Sequence, residues 1–233
     1  MDYRDRDVVI TGGTGALGAA VVAALLEGNA VCHVPYRSAT DVQRAAWRDH
    51  PNVRLFEEGD LSHEAAVARL FDRVPRLWAS IHLAGGFAFG PLAEAGLDTL
   101  TQQIETNLMS CLLCTRAAIR TMARTGAGGR IVNVAARPAL EWRHGANMVA
   151  YTASKAAVAA LTVALAQEVA DQNILVNAIA PSVMDTPANR TAMPKADHSA
   201  WPKVEEVART VLFLASPENT VTRGAIVPVY GRA

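Results

Sequence analysis

The chain has 233 residues, 51% of them hydrophobic, with 22 Lys+Arg against 22 Asp+Glu and no formal net charge. That length fits one α/β domain, residues 1–233, with a large core. The charge balance leaves no electrostatic footprint for nucleic acid or an anionic membrane, and the apolar runs read as too interrupted to cross a bilayer.

The first residues, Met1 to Asp7, are charged and polar, unlike a secretory signal. Cys32, Cys111 and Cys114 form no disulfide framework, which suits a reducing, cytoplasmic setting. Val8-Val9-Ile10 is predicted as a first strand running into a Gly-rich turn. Ala16–Glu27 reads as a helix stopped by Gly28-Asn29. A buried strand is expected at 30–34, a helix at 41–49, a strand at 53–56, a helix at 63–73 and a strand at 78–83. One long helix is predicted over 97–124, a strand over 130–134, and an Ala-rich helix over 151–171. A strand at 175–180, a helix at 204–215 and a strand at 225–229 complete the series. Apolar strands without alternation imply a sheet covered on both faces, hence parallel pairing. Repeated βα units then give a Rossmann-type doubly wound sheet of about seven strands with helices on both faces. The irregular stretch 182–202 is predicted to be a lid or binding loop. Cys111-x-x-Cys114 lies in an apolar helical stretch with no second ligand pair, so it reads as packing, and no metal site is expected.

The first turn reads Thr11-Gly12-Gly13-Thr14-Gly15-Ala16-Leu17-Gly18, and Gly13, Gly15 and Gly18 satisfy G-x-G-x-x-G. Such a turn between a strand and a helix lets backbone approach a pyrophosphate, which the helix N-terminus then binds through free N–H groups. About twenty residues on, an acidic residue would select NAD. Here stands Arg37, whose planar fork pairs with a 2′-phosphate, so NADP is favoured and NAD remains possible. A solvated surface arginine is the plainer alternative. Asp60 either hydrogen-bonds an adenine amino group or signals the next helix, for which Ser62 is the better cap. Tyr151 and Lys155, at i and i+4, share one helical face. A lysine cation beside a phenol is expected to favour the phenolate and so tune the tyrosine for proton exchange.

These elements together resemble the short-chain dehydrogenase/reductase family over the whole chain. Further matches are Asp60-Leu61, Ala84-Gly85, Asn107, the run 131–134, Val176-Asn177-Ala178-Ile179-Ala180-Pro181 and the closing strand. The resemblance implies that Tyr151 exchanges a proton with the substrate, that Lys155 also holds the nicotinamide ribose, and that Asn107 supports a proton relay. It places coenzyme contacts at Gly12, Thr14, Gly15, Leu17, Gly18, Arg37, Asp60, Leu61, Ala84, Gly85, Tyr151, Lys155, Pro181, Val183 and Thr186. Thr186 would anchor the nicotinamide amide. The family also implies a homodimer or homotetramer built by pairing the two long helices; Ala156, Ala157, Ala160 and Ala164 either serve that face or cover the sheet.

The chain departs from the family pattern in four places. Ala16 stands where single-domain members usually carry glycine, His82-Leu83 replaces Asn-Asn, and Ser182 replaces the glycine after Pro181. Most telling, Ala136 occupies the position of the catalytic serine, and no serine or threonine lies between it and Tyr151. Losing such a donor typically costs about 10²–10³ in rate. Three readings follow. The substrate is a conjugated or quinonoid electrophile that needs less polarisation; or Arg137, His144 or Asn147 substitutes as donor; or the protein is non-redox, catalysing a rearrangement or cyclisation or serving as a cofactor-binding scaffold. A narrower likeness to dihydropteridine reductases, in 83–87 and 185–197, favours the first, since that branch also carries alanine there. The small-molecule substrate pocket is expected to involve Phe87, Ala136, Arg137, His144 and Met184; Phe87 and Phe89 are either pocket walls or packing residues.

Overall fold

The computed structural model describes all of residues 1–233. Seven strands, β1 (Asp7–Thr11), β2 (Val31–Tyr36), β3 (Val53–Glu57), β4 (Leu77–His82), β5 (Gly129–Val134), β6 (Ile174–Pro181) and β7 (Ile226–Val229), form one parallel sheet in the order β3-β2-β1-β4-β5-β6-β7. Alternate residues of each central strand enter opposite cores. Val8 and Ile10 join α1 (Ala16–Glu27) on one face, whereas Val9 packs on the other. Full burial of each such side chain is worth roughly 1.5–3 kcal/mol.

The remaining helices are α2 (Ala39–Gln43), α3 (Glu64–Asp72), α4 (Leu97–Ile104), α5 (Ser110–Thr125), α6 (Arg137–Leu140), α7 (Val149–Glu168), α8 (Pro187–Ala192) and α9 (Val204–Ala215). Helix α9 packs with α1 on one face; α3, α5 and α7 cover the other. By length and composition α7 could cross a membrane, contrary to the reading of interrupted apolar runs. It packs on β5 and β6 and buries Ser154, Lys155 and Thr162, so its apolar face covers the sheet. Ala156 is partly buried against the core, whereas Ala160 and Ala164 are exposed. Both Cys111 and Cys114 are buried in the core.

Three predicted helices need correction. The one expected over 41–49 ends at Gln43, because Ala45 and Trp47 turn into the core and Arg48 Nη1 donates to the Gln43 carbonyl at 2.6 Å. Tertiary burial here overrides helix propensity. The helix expected at 97–124 is divided by a π-helical turn, Glu105–Met109. Helix α7 starts two residues before Tyr151, and it gives way after Glu168 to a short 3-10 turn. Ser62 is not the cap of α3: His63 takes that position, and Asp60 Oδ1 accepts from the Ser62 N–H at 2.8 Å.

A buried polar chain crosses the sheet. Thr162 Oγ1 donates to the Val158 carbonyl at 2.8 Å and therefore accepts from Asn133 Nδ2 at 3.0 Å. Asn133 Oδ1 then faces His82 Nδ1 at 2.8 Å, so Nδ1 carries the proton and Nε2 accepts from Ser80 Oγ at 2.8 Å. Burial favours the neutral ring and pushes His82 down to about 4, with the Asn133 hydrogen bond opposing. Because the folded value lies below the ordinary 6.5, stability is full above pH 6.5 and is lost as the pH falls toward 4. Between those limits, wild type should lose about 3 kcal/mol more unfolding free energy than His82→Asn. Urea titrations followed by circular dichroism at both pH values check this; equal losses would contradict it.

Candidate active site

The strand order reverses between β1 and β4, whose following segments diverge and leave a crevice at their C-terminal ends. Gly12 lies there at φ +68°, and a Cβ on it would come within 2.7 Å of the Ala84 backbone nitrogen. A Cβ on Gly18 would meet the Gly12 carbonyl at 2.1 Å, so α1 seats directly on the turn. The N-terminus of α1 carries no side-chain cap and no acidic residue in its first turn, so its N–H groups are available to an anion. Gly12, Thr14, Gly15, Arg37, Asp60, Leu61, Ala84 and Gly85 line one groove, together with Tyr36, Asp41 and Thr106. Leu17 and Gly18 are buried beneath it. Exposed Arg37 stands near Asp60; although burial raises the Asp60 carboxyl, hydrogen bonds from Ser62 and the charges of Arg37 and His63 hold it below its ordinary range. This cradle, too tight for a Cβ and open at a helix N-terminus, fits a nicotinamide dinucleotide.

At the other end of the crevice, the π turn carries buried Asn107. Its Oδ1 accepts from the Gly86 N–H at 2.9 Å and its Nδ2 donates to the Gly86 carbonyl at 3.0 Å. Such turns recur at functional sites because they reset the helix register. Lys155 is buried, and its Nζ donates to the Val134 carbonyl at 2.9 Å. Burial lowers its ammonium to about 8, opposed by neighbouring Cys111. Tyr151 moves opposite to the sequence-based expectation: burial raises its phenol to about 12. Desolvation alone sets this direction, and the Lys155 ammonium is turned onto Val134.

Phe87 meets Tyr151 edge to face, with centroids 5.0 Å apart. Phe87 and Phe89 are 61% and 67% exposed, so neither belongs to the buried core. Ala136 is buried at the end of β5 and brings no hydroxyl. Arg137 donates to Glu141 Oε2 at 2.9 Å and lies 4.9 Å over the Tyr230 ring. His144 Nε2 is 3.4 Å from the same Glu141 oxygen, so both proposed substitute donors are directed at a carboxylate. Asn147, at φ +61°, offers its backbone carbonyl to the Gly90 N–H at 2.7 Å. Val183 and half-buried Met184 follow Pro181 and Ser182 off β6, and Met184 packs against the core. Thr186 is buried and caps α8, accepting from the Asn189 N–H at 3.2 Å. Sequence reading missed Glu141 and Tyr230 because their contacts join distant segments; their one signal was position at the ends of neighbouring elements.

The sequence profile of the short chain dehydrogenase family matches residues 6–197, and the chain belongs to that family. Over 98% of its length it is 34% identical to cis-4-hydroxycyclohexanecarboxylate dehydrogenase of Sinomonas cyclohexanicum, covering 96% of that protein. It is 30% identical to 2-dehydro-3-deoxy-L-rhamnonate dehydrogenase (NAD(+)) of Sphingomonas sp. (strain SKA58), with 98% and 95% of the two chains covered. A solved short chain dehydrogenase/reductase family protein superposes with TM-score 0.90 at 26% identity, over 99% of this chain and 98% of the other. The chemistry of the class is that of an oxidoreductase using a nicotinamide coenzyme.

Proposed function

We propose that the protein transfers a hydride from NADPH to a carbonyl or conjugated, quinonoid substrate, with Tyr151 as general acid. The observation that carries this reading is the convergence of Tyr151, Lys155 and Asn107 beside a turn too tight for any side chain at Gly12. When bound, the coenzyme supplies the hydride. The chain's own residues hold and protonate. The N-terminus of α1 and the Gly12–Gly18 turn bind the pyrophosphate, and Ala84, Gly85, Pro181, Val183 and Thr186 bound the nicotinamide side. Lys155 grips the ribose and Asn107 supports proton supply. A phenol near 12 is protonated at neutral pH, so Tyr151 starts as a donor. Phe87 and Met184 wall the pocket.

Ala136 is the reason for including conjugated substrates: they need less help in polarising the accepting atom. The relative named for cis-4-hydroxycyclohexanecarboxylate supports the carbonyl arm. Preference for NADPH rests on Arg37 beside the adenosine end of the groove. The exposed apolar residues Leu97 and Ile104 on α4 and Met109 at the end of the π turn, with Val149 and Val163 on α7, support pairing of these helices in a homodimer or homotetramer.

In coenzyme-oxidation assays, Tyr151→Phe is expected to lower kcat by about 10²–10⁴ while leaving NADPH Kd nearly unchanged. Undiminished turnover would defeat the mechanism. Fluorescence titration of Arg37→Ala should weaken NADPH by roughly 10–100-fold and NADH much less; equal losses would defeat the coenzyme preference.

A further inference from the structure

We propose that Tyr230 is a positioning residue that clasps the two walls of the substrate pocket, 136–148 and 182–202, into one rim. The argument begins with topology. Strands β5, β6 and β7 are parallel, so Ala136, Ser182 and Tyr230 leave the sheet at the same edge. From there Tyr230 reaches both neighbours. Toward the first wall, its ring lies under the Arg137 guanidinium at 4.9 Å, and its hydroxyl faces the Glu141 carboxylate, to which Arg137 also donates at 2.9 Å. Arg137 thus joins the Glu141 carboxylate and the face of the Tyr230 ring.

Toward the second wall, the Tyr230 carbonyl accepts from Ser182 Oγ at 2.9 Å. Two residues on, Arg232 donates from its backbone N–H to the Ala200 carbonyl at 2.9 Å and from Nη2 to the Ser199 carbonyl at 2.8 Å. Gly231 makes the crossing possible. It sits at φ +64°, and a Cβ there would meet the Ala200 carbonyl at 2.8 Å and the Pro202 nitrogen at 2.9 Å. Ser182, one of the departures from the family pattern, therefore has a task in this chain: it ties the start of the loop to Tyr230.

Packing alone does not explain the tyrosine. Val227 and Val229 of β7 rest on the core, whereas Tyr230 belongs to no core cluster and its partners are polar groups of the two walls. The functional consequence rests on the proposed reading of this edge as the substrate side. With the walls clasped, the rim between Ala136 and Met184 keeps a fixed width, which favours compact substrates; opening it admits bulkier ones.

Hydrogen–deuterium exchange on the full chain tests the clasp without requiring turnover. In Tyr230→Ala, which removes the ring from Arg137 and keeps the backbone carbonyl on Ser182, amides in 137–148 should exchange about tenfold faster, whereas Ser182→Ala, which removes the bond to the Tyr230 carbonyl, should speed those at the start of 182–202; those of β4, β5 and β6 should stay protected in both. Tyr230→Phe keeps the ring under Arg137 and loses the hydroxyl, so the rise should be smaller, about threefold, and concentrated in 137–148. Glu141→Gln provides a second approach from the opposite partner should Tyr230→Ala fold poorly, and should loosen 137–148 likewise. Unchanged exchange of 137–148 in Tyr230→Ala, or of 182–202 in Ser182→Ala, would overturn the proposal. Coenzyme oxidation on ketones of increasing bulk adds the functional arm, in which Tyr230→Ala should lower KM for the bulky members and leave NADPH Kd unchanged. If wild type turned over no ketone or quinone, the redox reading would fall, and the exchange data would still decide the clasp.

Discussion

Everything chemical in this protein depends on the reversal of strand order between β1 and β4. Two neighbouring parallel strands send their following segments in opposite directions, so no connection covers the crevice between them. The backbones at Gly12 and Ala84 then approach so closely that a single methyl group would not fit. Along this one edge the sheet presents an uncapped helix N-terminus, the Asn107 turn, the Lys155 ammonium and the Tyr151 phenol. The groups proposed to be catalytic are thus placed by helices and the π turn, and the loops supply the proposed walls.

Under that edge, polar contacts join the sheet and α7 in addition to apolar ones. Asn133 in β5 is bonded to His82 in β4 and to Thr162 in α7. Thr162 is two turns beyond Lys155, on the same side of the helix, and the next residue of β5 provides the carbonyl that receives the Lys155 ammonium. A buried network of this kind is favourable only when every member is satisfied. Here the donation of Asn133 to Thr162 leaves its Oδ1 as the acceptor for the Nδ1 proton of His82.

Much of this was legible in the sequence, and for identifiable reasons. The bounds of α1 and α9 are those of the apolar periodicity, because both helices present a continuous stripe to one core. The Gly-rich turn and the Tyr151/Lys155 spacing were readable because each is local, and so was the absence of a hydroxyl at Ala136. What escaped is either non-local or breaks a period. The π turn at Glu105–Met109 inserts itself into a pattern that otherwise continues as helix. Helix α2 stops because Ala45 and Trp47 find a core contributed by distant residues. Arg137 and His144 looked free to meet a substrate until Glu141 and Tyr230 came beside them. The direction of the Tyr151 shift was misjudged because proximity to a cation was weighed without the cost of burial.

Ala136 remains the pivotal position. Its methyl group is buried where, in the proposed reading, a hydroxyl would face the substrate oxygen, and the adjacent cation on the linker, Arg137, is bound to Glu141. A site with an intact tyrosine, lysine and asparagine but without that donor should act on substrates whose accepting atom is already electron-poor. The most direct measurement is NADPH oxidation by wild type and Ala136→Ser against a quinone, a quinonoid dihydropterin and simple ketones. The account predicts turnover of the conjugated substrates by wild type, and a gain of about 10²-fold on ketones in the serine variant. Wild type that binds NADPH yet oxidises it with none of them, while the serine variant does, would contradict the account and point to non-redox chemistry on the same fold.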